Sequence, residues 1–222
     1  MTYFRSELRG GTQIIWLDRA PINALTIAML QEGASTFTAL AVDPPPGGIV
    51  LASYHGTFTA GVDTKAAATL DSAGRHQLVD AVNAFAAALY RLPCAVVAAV
   101  GGHAIGAGGI ICLASDWVLI ADTELKIGLP EAKAGLPFPL VPLIIMDQQL
   151  DPVWRRRLAL SSALLGPNQA VAAGLADEVV PAEQLVYRAV AQAAAMSGQP
   201  AFAIIKADLR RKALAEIAAV VG

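Results

Sequence analysis

The stretch CAVVAAVGGHAIGAGGIICLA, residues 94–114, decides the fold. Residues 94–100 form a short apolar run that is typical of a buried strand, and residues 101–109 then contain five glycines. An uncharged stretch of this length could cross a bilayer, but the glycines interrupt it. The segment therefore predicts a strand, a glycine-rich turn and an apolar helix at about 107–114, and no membrane span.

The same alternation of short apolar strands and helices extends through the chain. Gly10-Gly11 predicts a hairpin turn, and Thr26 and Asp63 are suitable N-caps. We predict strands at 3–9, 12–18, 49–53, 94–100, 117–121 and 124–127. We predict helices at 26–41, 63–65, 74–91, 107–114, 152–162, 168–173, 182–196 and 200–218, a turn or short helix at 130–134, and a rigid apolar segment at 136–142. This pattern indicates an α/β core whose sheet is covered on both faces.

Composition excludes several classes of protein. Of the 222 residues, 55% are hydrophobic and only 15% are charged, which excludes a disordered chain. A formal net charge of −2 argues against nucleic acid as the main partner, although the basic runs 155–157 and 210–212 leave a local basic patch open. The start of the chain has no signal-peptide pattern, and Cys94 and Cys112 lie in apolar runs, so we expect a cytoplasmic protein. Metal-binding motifs are absent from the sequence.

Two glycine-containing loops are candidates for chemistry. Residues 59–63 and 106–109 each follow an apolar strand, and backbone N–H groups in such loops can face a cleft without a side chain in the way. Together they would form an oxyanion hole, or the glycines would only permit tight turns and close packing. The phosphate-loop, dinucleotide-binding and hydrolase-elbow motifs are not present.

An ordered set of sequence blocks resembles the crotonase superfamily of enoyl-CoA hydratases and isomerases. The blocks are NAL at 23–25, FTAGVDTK at 58–65, LP at 92–93, AAVGGHAIGAGG at 98–109, ASD at 114–116, IGLPEAKAG at 127–135 and GLADEVVP at 174–181. The resemblance implies an α/β crotonase-like spiral of β-β-α units over residues 1–180. It also implies a C-terminal helical trimerisation region at 181–222, and a homotrimer or homohexamer.

The resemblance also implies roles for individual residues. The backbone N–H groups of Val62 and Ala107 would hold the thioester oxygen of an acyl-CoA substrate. Ala60 would lie against the coenzyme A thioester, and Lys65 would lie near the CoA phosphates. Asp63 would cap and brace its loop. No metal or other cofactor is expected. His55 and His103 flank the two loops, where we expect structural or substrate-lining roles.

The number of carboxylate side chains at two family positions distinguishes hydration from isomerisation. Hydratases of this family hold water between two glutamates, but here the first position is Ile110 and only the second, Glu131, is a carboxylate. This pattern resembles Δ3,Δ2-enoyl-CoA isomerases, in which a single carboxylate moves a proton from C2 to C4. The aspartate of dienoyl isomerases is replaced by Pro139. Hydration, thioester hydrolysis, decarboxylation and acyl-CoA binding without catalysis remain alternatives, as does a surface role for Glu131 beside Lys133.

Overall fold

Nine strands form two sheets in the computed structural model, which describes residues 2–222. The strands are β1 Phe4–Arg9, β2 Thr12–Leu17, β3 Ile49–Ser53, β4 Val96–Val100, β5 Ala104–Ile105, β6 Trp117–Ala121, β7 Ile127–Gly128, β8 Leu164–Leu165 and β9 Glu178–Val180. The larger sheet has the order β1-β2-β3-β4-β6-β9, and all its neighbours are parallel except the β1–β2 hairpin. The smaller sheet has the order β5-β7-β8. The α/β core and the hairpin are confirmed.

Within the described part of the chain, ten α-helices surround the sheets. They are α1 Ile27–Val42, α2 Thr64–Ala68, α3 Ser72–Tyr90, α4 Ala107–Ala114, α5 Glu131–Ala134, α6 Leu140–Gln149, α7 Pro152–Ser161, α8 Pro167–Ala173, α9 Leu185–Ser197 and α10 Phe202–Val221. Two predicted N-caps are confirmed, because Thr26 accepts from the Met29 amide and Asp63 accepts from the Ala66 amide. Each side chain satisfies an amide that has no partner within its helix.

Helices cover both faces of the larger sheet. Helix α9 packs on β3, β4 and β6, and the long helices α1 and α3 pack on each other. A Cβ on Gly33 would lie 2.4 Å from a ring carbon of Phe85, so only glycine allows this approach of α1 to α3. Helices α3 and α4 each return the chain between parallel neighbours of the sheet, and so both run against the strand direction.

The sequence prediction of a rigid segment at 136–142 missed the start of a helix. The structure continues the rigid segment into α6, which begins at Leu140 although Pro142 lies in its first turn. Proline is tolerated there because amides of the first turn have no helical acceptor. The Val141 amide donates instead to Oδ1 of Asn83, 3.0 Å away. The strand predicted at 124–127 is also wrong in extent, since only Ile127–Gly128 forms a strand.

A buried charged cluster attaches α10 to the core. Lys206 and Arg210 both pair with Asp116, at 2.6 Å and 2.8 Å, and all three side chains are buried. The run 210–212 is therefore not one surface patch. Helix α10 is thus attached to the core by buried ion pairs. The division at residue 180 and the trimerisation role of residues 181–222 stay predictions. No helix among residues 2–222 has the length and apolar character to cross a membrane.

Candidate active site

The loop before α2 presents the Val62 amide to a cavity. Leu25 forms an isolated parallel bridge with Val62. The Leu25 N–H donates to the Gly61 carbonyl at 2.8 Å, and the Leu25 carbonyl accepts from the Asp63 N–H at 2.9 Å. In a parallel pairing the residue between these two bonds points its own N–H to the opposite side. The Val62 N–H therefore faces away from Leu25, and Val62 lines the cavity.

The second amide belongs to Ala107, the first residue of α4. Gly106 before it has a φ of +57° and donates its own amide to Gly128 at 2.8 Å. The first amide of a helix has no partner within the helix and lies at the positive end of the helix dipole. Within residues 2–222, neither the Ala107 nor the Val62 N–H has a hydrogen-bond acceptor.

The two loops meet at Gly61. This residue has a φ of +79°, and a Cβ built on it would lie 2.6 Å from the Ile105 carbonyl oxygen and 3.4 Å from the Ala107 nitrogen. Gly61 thus lets the segment that carries Val62 lie directly against the start of α4. The structure therefore brings the two glycine-containing loops together, as an oxyanion hole requires.

These loops open onto a cavity of about 630 Å³ with a mainly apolar lining. It is enclosed by α1, α2, α3 and α4, the loop at 60–62 and the segment from Pro130 to Pro142. Of the charged residues that the structure describes, only Arg75 and Glu131 are part of this lining. A concave, apolar site with few polar groups is typical of small-molecule binding.

Glu131 begins α5 and its carboxyl group lies beside the second loop. Its Oε1 is 3.2 Å from the point where a Cβ on Gly106 would be. Its Oε2 is buried and has no hydrogen-bond partner among the described residues. Over the same part of the chain Glu131 forms no ion pair, and Lys133 is exposed. A surface position for the Glu131 carboxyl group beside Lys133 does not fit this burial.

Burial makes the Glu131 carboxyl group a weaker acid than a glutamate in water. Loss of hydration raises its pKa from 4.5 to about 7, and one hydrogen bond to its own backbone amide opposes this rise. A carboxyl group with a pKa near neutrality can both accept and donate a proton at physiological pH. Such a shift in a cleft is a typical sign of a functional residue.

Two residues that bear on the reaction class also line the cavity. Ile110 is 5% exposed and contributes an aliphatic surface one turn after Ala107. Pro139 lies in the segment after α5. Leu136 and Phe138 also line the cavity. Leu140 does not, because its side chain is 59% exposed at the start of α6.

The remaining predicted residues fall into two groups. Ala60 lines the cavity, whereas Lys65 is exposed on α2 and is not part of the lining. Asp63 caps α2 and pairs with Arg19 at 3.0 Å, and the Ala66 amide is the main cause that lowers its pKa. This confirms its bracing position.

Both histidines form hydrogen bonds outside the cavity. His55 Nε2 lies 2.9 Å from Asp18, and His103 Nδ1 accepts from the Lys126 amide at 2.9 Å. Neither ring is part of the cavity lining among residues 2–222, so a structural role fits both.

Arg75 is a charged lining residue that the sequence analysis did not identify. It lies in the first turn of α3, one turn before Leu78 and Val79 on the same cavity-facing stripe. Extending the helical period of Leu78, Val82 and Phe85 backwards would have reached it.

Comparison with known proteins agrees with this geometry. A family model described as Enoyl-CoA hydratase/isomerase matches residues 7–220. The probable enoyl-CoA hydratase EchA17 of Mycobacterium tuberculosis is 30% identical over 204 residues, 89% of this chain and 75% of that protein. The probable enoyl-CoA hydratase EchA8 of the same species is 33% identical over 199 residues, 86% of this chain and 73% of that protein.

Solved structures have the same fold. Human mitochondrial Δ3-Δ2-enoyl-CoA isomerase superposes with a TM-score of 0.90 at 25% identity, over 98% of this chain and 87% of that one. An enoyl-CoA isomerase of M. tuberculosis gives 0.88 at 25% identity, over 99% and 96%. These similarities confirm the crotonase-like fold that the sequence blocks predicted.

Proposed function

Because the chain belongs to the enoyl-CoA hydratase/isomerase family, we propose that it converts a 3-enoyl-CoA into a trans-2-enoyl-CoA, with Glu131 as the single acid–base residue. One observation carries this proposal: among the described residues, a lone carboxyl group with one buried, unpaired oxygen lines the same apolar cavity as two free backbone amides and lies against Gly106, next to one of them. Moving a double bond needs one group that takes a proton and returns it.

The proposed reaction begins with the thioester carbonyl oxygen bound by the Val62 and Ala107 N–H groups. The ionised Glu131 carboxylate removes a proton from C2, and the electron pair moves onto the carbonyl oxygen to give a dienolate. The two amides stabilise this negative oxygen, and one such donor typically contributes about 10²–10³ in rate. The protonated Glu131 then returns the proton to C4, and the double bond comes to lie between C2 and C3.

The pKa of Glu131 supports this alternation. A carboxyl group with a pKa of about 7 is partly ionised at neutral pH, so the base form is available without making the conjugate acid too weak a donor. No metal or prosthetic group is needed by this reaction. Coenzyme A is the carrier of the substrate, with its thioester against Ala60, Val62 and Ala107. The exposed Lys65 is free to contact the CoA phosphates.

Hydration is the second candidate, since the curated relatives EchA17 and EchA8 are named probable hydratases. Adding water needs a group that positions the water and a group that donates a proton. Ile110 provides neither, and it occupies the cavity wall one turn into α4. We therefore favour isomerisation on the chemistry of these two positions.

A pair of substrates separates the two reactions. The protein is incubated with trans-3-hexenoyl-CoA and, separately, with crotonyl-CoA, and the conjugated enoyl thioester is followed by ultraviolet absorbance. We expect absorbance to rise with the first and to stay constant with the second. Loss of absorbance with crotonyl-CoA and no change with trans-3-hexenoyl-CoA would reject isomerisation in favour of hydration.

A further inference from the structure

Thr59 connects the two loops that carry the free amides. Its backbone N–H donates to the His103 carbonyl, and its carbonyl accepts from the Ile105 N–H, both at 3.0 Å. Its methyl group packs on α4, because a Cβ on Gly108 would lie 2.9 Å from that methyl carbon. Ile105 comes two residues before Ala107. The backbone and the methyl group of Thr59 are thus fixed against the loop that presents the second amide.

The hydroxyl group of Thr59 binds the first loop. It donates to the Asn23 carbonyl at 2.6 Å and accepts from the Gly61 N–H at 3.0 Å. Thr59 and Asn23 are 0% exposed, and Gly61 is buried. Within residues 2–222 this hydroxyl is the only hydrogen-bond partner of the Gly61 N–H. Loss of the hydroxyl would therefore leave a buried donor unpaired.

The conformation of Gly61 determines where the Val62 N–H points. The Gly61 carbonyl and the Val62 N–H belong to one trans peptide group, so they point in opposite directions. The carbonyl accepts from the Leu25 N–H at 2.8 Å, and the N–H of the same glycine is held by the Thr59 hydroxyl. Glycine has more backbone freedom than any other residue, and these two bonds remove that freedom at a φ of +79°.

From these contacts we infer that Thr59 is a positioning residue of the oxyanion hole, whose hydroxyl sets the direction of the Val62 N–H relative to the Ala107 N–H. This inference rests on the proposed function of these two amides as donors to a thioester oxygen. Thr59 is not part of the cavity lining among the described residues, so it acts through Gly61 and not by contact with the substrate. Donors fixed in advance stabilise a developing oxyanion without having to reorient during the reaction.

The test measures polarisation of a bound carbonyl group. Hexanoyl-CoA labelled with ¹³C at the thioester carbonyl is bound to the protein, and its C=O stretching band is located by difference infrared spectroscopy. Two aligned N–H donors weaken the C=O bond, so we expect the band of the bound thioester at lower wavenumber than that of the free thioester. Thr59→Val should move the band about halfway back, because one of the two donors is then misaligned.

Turnover gives a second readout. Misalignment of a donor costs less than its removal, so Thr59→Val should lower kcat for trans-3-hexenoyl-CoA by about 10–100-fold. The dissociation constant of hexanoyl-CoA should change much less, because Thr59 does not contact the ligand.

Matched variants separate positioning from loss of stability. Thr12 is also 0% exposed, and its hydroxyl donates to the Gly47 carbonyl at 2.8 Å, outside the cavity lining of the described chain. Thr12→Val should therefore lower stability in urea, as Thr59→Val does, but keep the wild-type band and kcat. Thr59→Ser retains the hydroxyl and should restore the shifted band. Thr59→Ala, which adds no methyl group in place of the hydroxyl, makes the same comparison if Thr59→Val does not fold.

The outcomes distinguish this inference from the proposed function. A wild-type band in Thr59→Val, loss of the shift in Thr59→Ser, or an equal change in Thr12→Val would overturn the inference. A band shift that depends on Thr59, without turnover of 3-enoyl-CoAs, would reject the isomerase and keep the positioning role. Turnover that does not depend on Thr59 would do the opposite, and an unshifted band in wild type would overturn both.

Discussion

Replacing Glu131 by glutamine should stabilise the protein at alkaline pH. Glutamine keeps the shape of the side chain and cannot ionise in the apolar cavity. The folded pKa of about 7 lies above the ordinary value of 4.5, so the stability that Glu131 provides is full below pH 4.5 and is lost as the pH rises through 7. At about 1.4 kcal/mol per tenfold change in the proton equilibrium, the full loss is about 3 kcal/mol.

Urea unfolding of wild type and Glu131→Gln at pH 5 and pH 8 measures this effect. Part of the loss has already occurred at pH 5, so we expect the stability of the variant relative to wild type to increase by about 2–3 kcal/mol between these pH values. Glu124→Gln is the control, because Glu124 is exposed and does not line the cavity within the described residues. If the relative stability of Glu131→Gln did not change with pH, the reasoning on burial of this carboxyl would be refuted.

Three further outcomes follow from the same structure. For isomerisation, kcat/KM should rise with pH and level off above a midpoint of about 7, because the free enzyme needs ionised Glu131, and a flat profile would argue against this base. Gly61→Ala forces a Cβ to within 2.6 Å of the Ile105 oxygen at a positive φ, so it should cost about 1–3 kcal/mol in urea unfolding and lower kcat, whereas Gly56→Ala, which meets open space, should do neither. Arg210→Met should cost about 3–5 kcal/mol because it breaks a buried ion pair, and the exposed Arg211→Met should have little effect; similar losses in both would contradict this.

Local sequence patterns predicted the parts of the fold that depend on neighbouring residues. Strand β4, the glycine-rich turn and α4 follow from one stretch of chain, and Asp63 is recognisable as a cap from the residues next to it. The candidate site was predictable for a different reason. The ordered blocks resemble the crotonase superfamily, and this resemblance implies roles for Val62, Ala107 and Glu131.

Features that depend on distant contacts were not predictable. Strands β5, β7 and β8 have two residues each, too few to show any periodicity, and they exist through pairing with one another. The buried pair of Asp116 and Arg210 joins residues 94 positions apart, and its arginine lies in a run that reads as a surface patch. Burial of Arg210 is therefore a tertiary property.

The most direct test of the account compares isomerisation and binding in one variant. Turnover of trans-3-hexenoyl-CoA and the dissociation constant of hexanoyl-CoA are measured for wild type and Glu131→Gln. A single acid–base residue predicts a kcat lower by about 10²–10⁴-fold with affinity almost unchanged. A variant that isomerises at the wild-type rate would contradict the assignment of proton transfer to Glu131.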